Sequence, residues 1–281
     1  AALQAAKAQF AAVVFLDFKN AYDSLHHSAI LHKFTRLGGS AWRNVILSIL
    51  GGESKIWFRG RWAGSCSIRR GVRQGDTISP LLFNIALSDL LQTLEQLLVG
   101  ASIGDFRIVY LAYADDIAIF LRDENDLDKL LSILDEWEQS HGLRVNHNKT
   151  KAFALRSLPV NFPWECVPFF RFLGIPLKID GSIHWEVIST AYRSRLEAVS
   201  SVTSRLGSLR ARVKCVNSYA TAAIFHCLRA DGRIEPSIAL HWRREIKRAL
   251  GNKASRVSWL RLSGSVKQGG FGLFDPEVLQ K

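Results

Sequence analysis

Apolar and polar positions along this chain group into short segments whose spacing changes from one to the next. Ala11–Phe18 (AAVVFLDF) is an apolar run rich in β-branched residues, broken late by an acid, and predicts a buried strand. A polar stretch with Asp23 and Ser24 follows, then a helical pattern to Leu37 stopped by Gly38-Gly39. Ser40 is placed to cap a second helix that runs through Leu50 and ends at Gly51-Gly52. Lys55–Phe58 and Ser65–Arg69 predict strands around a Gly60/Gly64 turn. GVRQGDTISP then frames a loop, and an apolar helix runs from about Pro80 to Leu98. Arg107–Tyr113 and Ile117–Leu121 read as two apolar strands with Ala114, Asp115 and Asp116 between them, the pattern of a tight hairpin.

Asp123 or Asn125 can cap the next helix, whose apolar face is Leu127, Leu130, Leu131, Leu134 and Trp137, and Gly142 ends it. Leu143–Val145 and Lys151–Leu155 return to strand-like patterning, and Phe169–Pro176 predicts another short pair. From about Trp185 helical periodicity dominates, interspersed with Arg193, Arg195, Arg205, Arg210, Arg212 and Lys214. The pattern predicts an α+β first domain over residues 1–180 and a helical second one over 181–281, divided at Asp180-Gly181. The longest apolar candidate, Pro80 to Gly100, is interrupted by Asn84, Asp89, Gln92, Glu95 and Gln96, and falls short of the roughly 20 apolar residues of a membrane span. No signal peptide is expected in AALQAAKAQF.

Charge narrows the class. Lys and Arg number 37 against 25 Asp and Glu, a net +12, which fits a polyanionic partner, nucleic acid first, and equally a merely basic soluble surface. The four cysteines form no CxxC pair, so buried thiols in a reducing compartment are expected, with a metal role for Cys215 or Cys227 beside His226 as the minor alternative. The absence of methionine fits an excerpt of a longer reading frame.

Acid placement is the informative chemistry. Asp17 closes an apolar strand and Asp115-Asp116 sit at a hairpin tip. Adjacent carboxylates repel, and a divalent cation would relieve them. Two such ions about 4 Å apart form the clamp of nucleotidyl transfer. Taken alone, Asp-Asp in a loop is also ordinary turn chemistry.

Read in order, the segments resemble the reverse transcriptases of non-LTR (LINE-type) retrotransposons. VVFLDFKNAYDSL is similar to the first palm motif of that family, GVRQGDTISPLLFNIAL to the second, and LAYADDIAIF to its Tyr-x-Asp-Asp box. GLRVNHNKTKAF and FRFLGIPL resemble the two palm motifs that follow, and KQGGFGLFDP a stretch beyond the thumb. The resemblance covers roughly residues 12–178 and continues more weakly to the C-terminus. It implies a right-hand palm, an antiparallel sheet with packed helices, with partial fingers (about 24–72) over 1–180, and a helical thumb with a post-thumb connection over 181–281. The rest of the fingers, and an endonuclease, would be encoded outside this stretch.

The resemblance further implies RNA-directed DNA synthesis on a primer 3′-hydroxyl, with an RNA template, a DNA primer and deoxynucleoside triphosphates as partners. Two Mg²⁺ ions, with Mn²⁺ as a substitute, would be held by Asp17, Asp115, Asp116 and the backbone carbonyl of Phe18. Tyr22 would be the steric gate that excludes a 2′-hydroxyl, where its residue type alone suggests core packing. Gln74 and Gly75 would touch the incoming nucleotide and the templating pair, and Arg73 would reach phosphate unless it is merely solvated. Lys149 would protonate the leaving pyrophosphate, with a surface lysine as its plain alternative. Phe172, Leu173 and Gly174 would form the primer grip, and the helical arginines would contact phosphates or simply face solvent. The implied location is intracellular, nuclear in a eukaryote, within a ribonucleoprotein. Two other readings stand beside this one: a catalytically inactive fragment that only binds nucleic acid, and a maturase of the group II intron type.

Overall fold

The computed structural model describes residues 12–36, 40–203, 205–231 and 234–277, and they divide into two compact units, 1–168 and 169–281. The expected helix stop at Leu37 to Gly39 lies outside the described residues. Among the described residues no helix is long and apolar enough to cross a membrane.

The first unit is built on strand β1 (Ala12–Leu16), which is buried along its whole length. Burial on both faces explains why the sequence shows a continuous apolar run and not an alternation. Next come a short helix α1 (Ala21–Ser24), α2 (His27–Arg36) and α3 (Arg43–Leu50). Ser40 does not cap α3: it opens a 3₁₀ turn (Ser40–Trp42), which moves the helix start to Arg43 with Trp42 at the cap position. Strands β2 (Glu53–Phe58) and β3 (Arg61–Ser67) pair with each other, and α4 (Ser79–Leu97) carries proline in its first turn. Its buried residues Leu82, Phe83, Ala86, Leu87, Leu90 and Leu94 repeat at helical spacing and form much of the first unit's core.

The long strand expected from Arg107 is two. β5 (Phe106–Ile108) pairs with β4 (Ala101–Ile103), and β6 (Tyr110–Tyr113) pairs with β7 (Asp116–Leu121). Arg107 explains the break, because its guanidinium donates to Leu98 O at 2.9 Å and to Glu95 O at 2.6 Å and ties β5 to the end of α4. Helix α5 (Glu124–His141) starts at Asp123, which accepts from Asp126 N at 3.1 Å, and ends at Gly142 in the left-handed region. Asp126 itself is fully buried and accepts from Val99 N (2.8 Å), Gly100 N (3.0 Å) and Arg122 N (3.0 Å), which satisfies its charge with backbone donors. β8 (Lys151–Ala154) and a two-residue β9 (Glu165–Cys166) complete a mixed five-stranded sheet of order β6-β7-β1-β8-β9, antiparallel except for the β8–β9 pair.

In the second unit β10 (Phe169–Phe172) and β11 (Ile175–Lys178) form a hairpin that belongs with the helices that follow. Those helices are α6 (Trp185–Thr203), α7 (Leu209–Cys215) continued by a π-helical stretch Val216–Thr221, α8 (Ala222–Asp231), α9 (Pro236–Leu250), and the short α10 (Asn252–Ser255) and α11 (Trp259–Ser263). Their core centres on Tyr192 and Trp242, rings 5.1 Å apart, with Trp242 Nε1 donating to Ser189 Oγ at 2.9 Å. Burial pushes the Tyr192 phenol up to about 12, against a hydrogen bond with Thr221. The segment 267–276 is strapped down by Asn217, which bonds Gly272 O and Phe274 N, and by Asp275, which receives Arg243 at 2.9 Å and Trp259 Nε1 at 2.6 Å.

Candidate active site

β1 ends at Leu16, but the chain stays tied to its neighbours beyond it. Asp17 N donates to Thr150 Oγ1 at 3.1 Å, Asn146 N to Asp17 O at 2.8 Å, and Lys19 N to Arg144 O at 2.8 Å, with Phe18 bridging Val145 between them. These bonds fix Asp17 at the strand's end and bring the 146–150 turn against it. Lys149, exposed in that turn, donates its backbone N–H to Asn146 O at 3.0 Å.

On the other side, β1 pairs with β7 in a register that closes on Leu16 opposite Ile117. One step further in the same register sets Asp17 opposite Asp116. Asp116 pairs with Tyr113 as the first residue of β7, so the turn is the two residues Ala114-Asp115 and not the three the sequence suggested. Ala114 carries φ of 52°, a region that costs a side chain about 1–3 kcal/mol. Partial burial, then Asp115, then Asp17 hold the Asp116 carboxyl above the usual carboxylate range. Asp17 Oδ1 is buried and accepts no hydrogen bond. The pairing of β1 and β7 thus brings three acids from two distant segments to one end of the sheet, where Asp115 and Asp17 act on Asp116.

Among the described residues, no three His, Cys, Asp or Glu side chains are closed into a group able to hold a metal as they stand. In kind, the residues fit a hard divalent cation. They offer carboxylate oxygens, they repel one another, and one buried oxygen lacks a donor.

Tyr22 is half-buried and stacks on Phe83, centroids 4.7 Å apart and planes within 13°. Burial and then Asp115 raise its phenol above the ordinary value. Its carbonyl receives Val72 N at 2.7 Å, and Gly71 N donates to Leu25 O at 2.8 Å. A Cβ on Gly71 would lie 2.7 Å from Asp23 Cα and from Tyr22 O, and φ there is 78°, so this close approach requires glycine. The contact sets the exposed Arg73-Gln74-Gly75 loop beside α1, where Gln74 Nε2 donates to Asp23 Oδ1 at 3.3 Å and Arg73 to Gly51 O at 3.4 Å.

In the second unit, Leu173 and Gly174 form the tip of the β10–β11 hairpin, both at positive φ, closed by Phe172 opposite Ile175. His226 Nε2 bonds Leu173 O at 3.0 Å, and the Cys227 thiol donates to Gly174 O at 3.9 Å. His226 and Cys227 therefore hold the tip.

Residues 2–177 match the family described as reverse transcriptase (RNA-dependent DNA polymerase). The chain belongs to the reverse transcriptase family. It is 31% identical over 175 residues to a retrovirus-related Pol polyprotein from the type-1 retrotransposable element R2 of Popillia japonica, covering 61% of this chain and 29% of that one. It is 23% identical over 243 residues to an RNA-directed DNA polymerase from the mobile element jockey of Drosophila melanogaster, covering 80% of this chain and 26% of that one. This reverse transcriptase domain is thus related to the polymerases of non-LTR retrotransposons and spans less than a third of those relatives. An apo telomerase from Candida tropicalis aligns over 89% of this chain and 47% of its own at 15% identity, with a TM-score of 0.49, a likeness that carries none of the assignment.

Within the reverse transcriptase domain, sequence reading missed three supports. Thr150 reaches Asp17 only through the fold, and in its stretch of sequence only the neighbouring Lys149 carries a recognisable role. Gly71 was read as loop framing, and its contact with Tyr22 depends on the chain's path. Nothing local in the sequence marks Asp126, whose partners Val99 and Gly100 reach it only through the fold. The expectation of buried thiols fails for Cys66 and Cys166, which are exposed, while Cys215 is half-buried and Cys227 buried. Several helical arginines are also engaged internally. Arg212 donates to Leu206 O and Leu250 O at 3.0 Å each, and Arg193 bonds His241 at 2.9 Å.

Proposed function

We propose that this chain is the catalytic core of an RNA-directed DNA polymerase of a non-LTR retrotransposon, adding deoxynucleotides to a primer 3′-hydroxyl by two-metal nucleotidyl transfer, in an intracellular ribonucleoprotein that is nuclear in a eukaryotic host. The observation that carries the reading is the β1–β7 register, which sets Asp17 opposite Asp116 and leaves Asp17 Oδ1 buried without a donor. Asp17, Asp115 and Asp116, with the Phe18 carbonyl, would hold the cations. Bound there, two Mg²⁺ or Mn²⁺ ions supply the positive charge that acidifies the primer hydroxyl and offsets the triphosphate.

The chain's own residues do the rest. In transfer, the 3′-hydroxyl would lose its proton to solvent, its oxygen would bond to the α-phosphorus, and the bond from that phosphorus to the pyrophosphate oxygen would break. Lys149 would donate the proton that the pyrophosphate takes up. Tyr22, braced by Phe83, would press on the sugar and exclude a 2′-hydroxyl. Gln74 and the side-chain-free Gly75 would contact the incoming nucleotide and the templating pair, and Arg73 the phosphates. Phe172, Leu173 and Gly174 would present a rigid turn to the primer end. Exposed thumb cations such as Arg205, Arg210 and Lys214 would follow the duplex backbone.

A second reading is a fragment that binds nucleic acid without catalysis, which the net charge of +12 alone would support. Extension of a DNA primer on an RNA template separates the two. Mg²⁺-dependent incorporation that Asp115→Asn abolishes supports the polymerase. RNA binding without incorporation supports the second reading.

A further inference from the structure

The β2–β3 hairpin is exposed on both faces. Trp57, Phe58 and Trp62 are 65%, 65% and 62% exposed, and Ile56 49%. Among all residues of the pair only Gly64 is even partly covered. A two-stranded hairpin with no core beneath it is marginal in water, and this one spends its apolar residues on solvent. Bare aromatic surface of this kind marks a binding site.

The pairing arranges the rings. A register shift after Ile56 sets Trp57 directly opposite Trp62, so both indoles lie on one face, with Lys55 on the same side of β2. Phe58 lies opposite Arg61 on the other face, and the Arg59 guanidinium covers its ring at 5.3 Å. The two indoles make no ring contact with each other or with any described residue, so their faces are available.

Charge decides the occupant. Between residues 53 and 73 the chain carries Lys55, Arg59, Arg61, Arg69, Arg70 and Arg73 against the single acid Glu53. Among the described residues, Lys55, Arg59 and Arg61 form no ion pair. A protein partner seated on the indoles would have to bury or neutralise these cations. A polyanion with flat apolar faces satisfies both features at once. We infer that the hairpin is a binding platform for single-stranded nucleic acid, in which unpaired bases stack on Trp57 and Trp62 while Lys55, Arg59 and Arg61 hold the phosphates. Stacking is tolerant of sequence, and a duplex, whose base faces are covered, does not engage the indoles. The inference shares its partner class with the proposed function but uses none of the acids.

The test is fluorescence anisotropy of a labelled 20-nucleotide RNA with the full chain, in chelator and without nucleotides. The Trp57→Ala/Trp62→Ala chain is expected to bind about tenfold more weakly or worse, and Trp57→Phe/Trp62→Phe to retain most of the affinity. Lys55→Gln/Arg59→Gln/Arg61→Gln should flatten the slope of log affinity against log salt by about 2. The rings lie outside the core, and circular dichroism checks that each variant stays folded. Unchanged RNA affinity in the alanine variant would overturn the inference, as would an equal loss for duplex and single strand. So would unchanged RNA affinity accompanied by loss of self-association, which would assign the face to protein. A chain that cannot polymerise yet binds RNA through Trp57 and Trp62 would defeat the proposed function and leave this inference standing.

Discussion

The backbone N–H of Asp17 donates to the Thr150 hydroxyl at 3.1 Å, across 133 positions of sequence. Thr150 is fully buried, and the same hydroxyl lies 3.5 Å from Asp17 O. The bond aims the first acid from behind without occupying its carboxylate. Thr150→Val keeps the shape and removes the acceptor, and is expected to cost about 1–3 kcal/mol in urea unfolding. Primer extension should slow in the same variant, and Thr150→Ser should restore both. Full activity in the valine variant would detach Thr150 from the site.

Asp116 gives a pH signature. Its folded-state affinity for a proton is raised by partial burial, then by Asp115 and Asp17. A raised carboxyl contributes stability that is full below its unfolded pKa and is lost as pH rises through the folded value. The ionised acid therefore destabilises the metal-free fold at neutral pH. Asp116→Asn should melt higher than the parent at neutral pH, and the difference should shrink near the carboxylate range of about 4. Mg²⁺ should raise the melting point of the parent more than that of the variant, since a ligand stabilises the state it binds. An Asn variant that melts lower at neutral pH would contradict the crowding of acids.

Gly71 and Gly75 separate steric need from backbone need. Both have positive φ, but an added Cβ at Gly71 meets the Tyr22-Asp23 backbone at 2.7 Å and at Gly75 meets nothing within 4 Å. Gly71→Ala should lower the unfolding free energy by several kcal/mol or shift the Arg73-Gln74-Gly75 loop, and Gly75→Ala by about 1 kcal/mol. Comparable melting points for the two variants would refute the distinction.

Tyr22 and Phe83 act as a pair. Phe83 is fully buried, so Phe83→Ala should cost about 3–5 kcal/mol and says little about selectivity. Phe83→Leu keeps most packing and removes the ring that braces Tyr22. If Tyr22 gates the sugar, Tyr22→Ala should lower the preference for deoxy- over ribonucleotides by about tenfold or more, with Phe83→Leu intermediate. Single-nucleotide incorporation with each triphosphate measures this, and an unaltered preference in Tyr22→Ala would return the residue to core packing.

How much was legible in advance follows from where information sits along the chain. β1, α4, α5 and the β2–β3, β6–β7 and β10–β11 pairs were readable in outline because apolar patterning, turn glycines, Gly142 and Asp123 are local signals, whereas β4–β5 was not. The resemblance to reverse transcriptases was readable because the motifs are contiguous. The sheet order was not, since nothing local says that β1 pairs with both β7 and β8. The meeting of Asp17 with Asp116 depends on that pairing, and so does the approach of Thr150. Arg107 broke an apolar run by reaching back to α4, and a 3₁₀ turn displaced the cap expected at Ser40. At Arg107, bonds to Glu95 and Leu98 outweighed a local strand preference.

The most direct test of the central claim is extension of a labelled DNA primer on an RNA template by the full chain, with and without Mg²⁺, beside Asp115→Asn. The expected result is Mg²⁺-dependent addition of deoxynucleotides that falls about a hundredfold or more in the variant. Equal synthesis by Asp115→Asn, or no Mg²⁺-dependent addition by the parent chain, would contradict it.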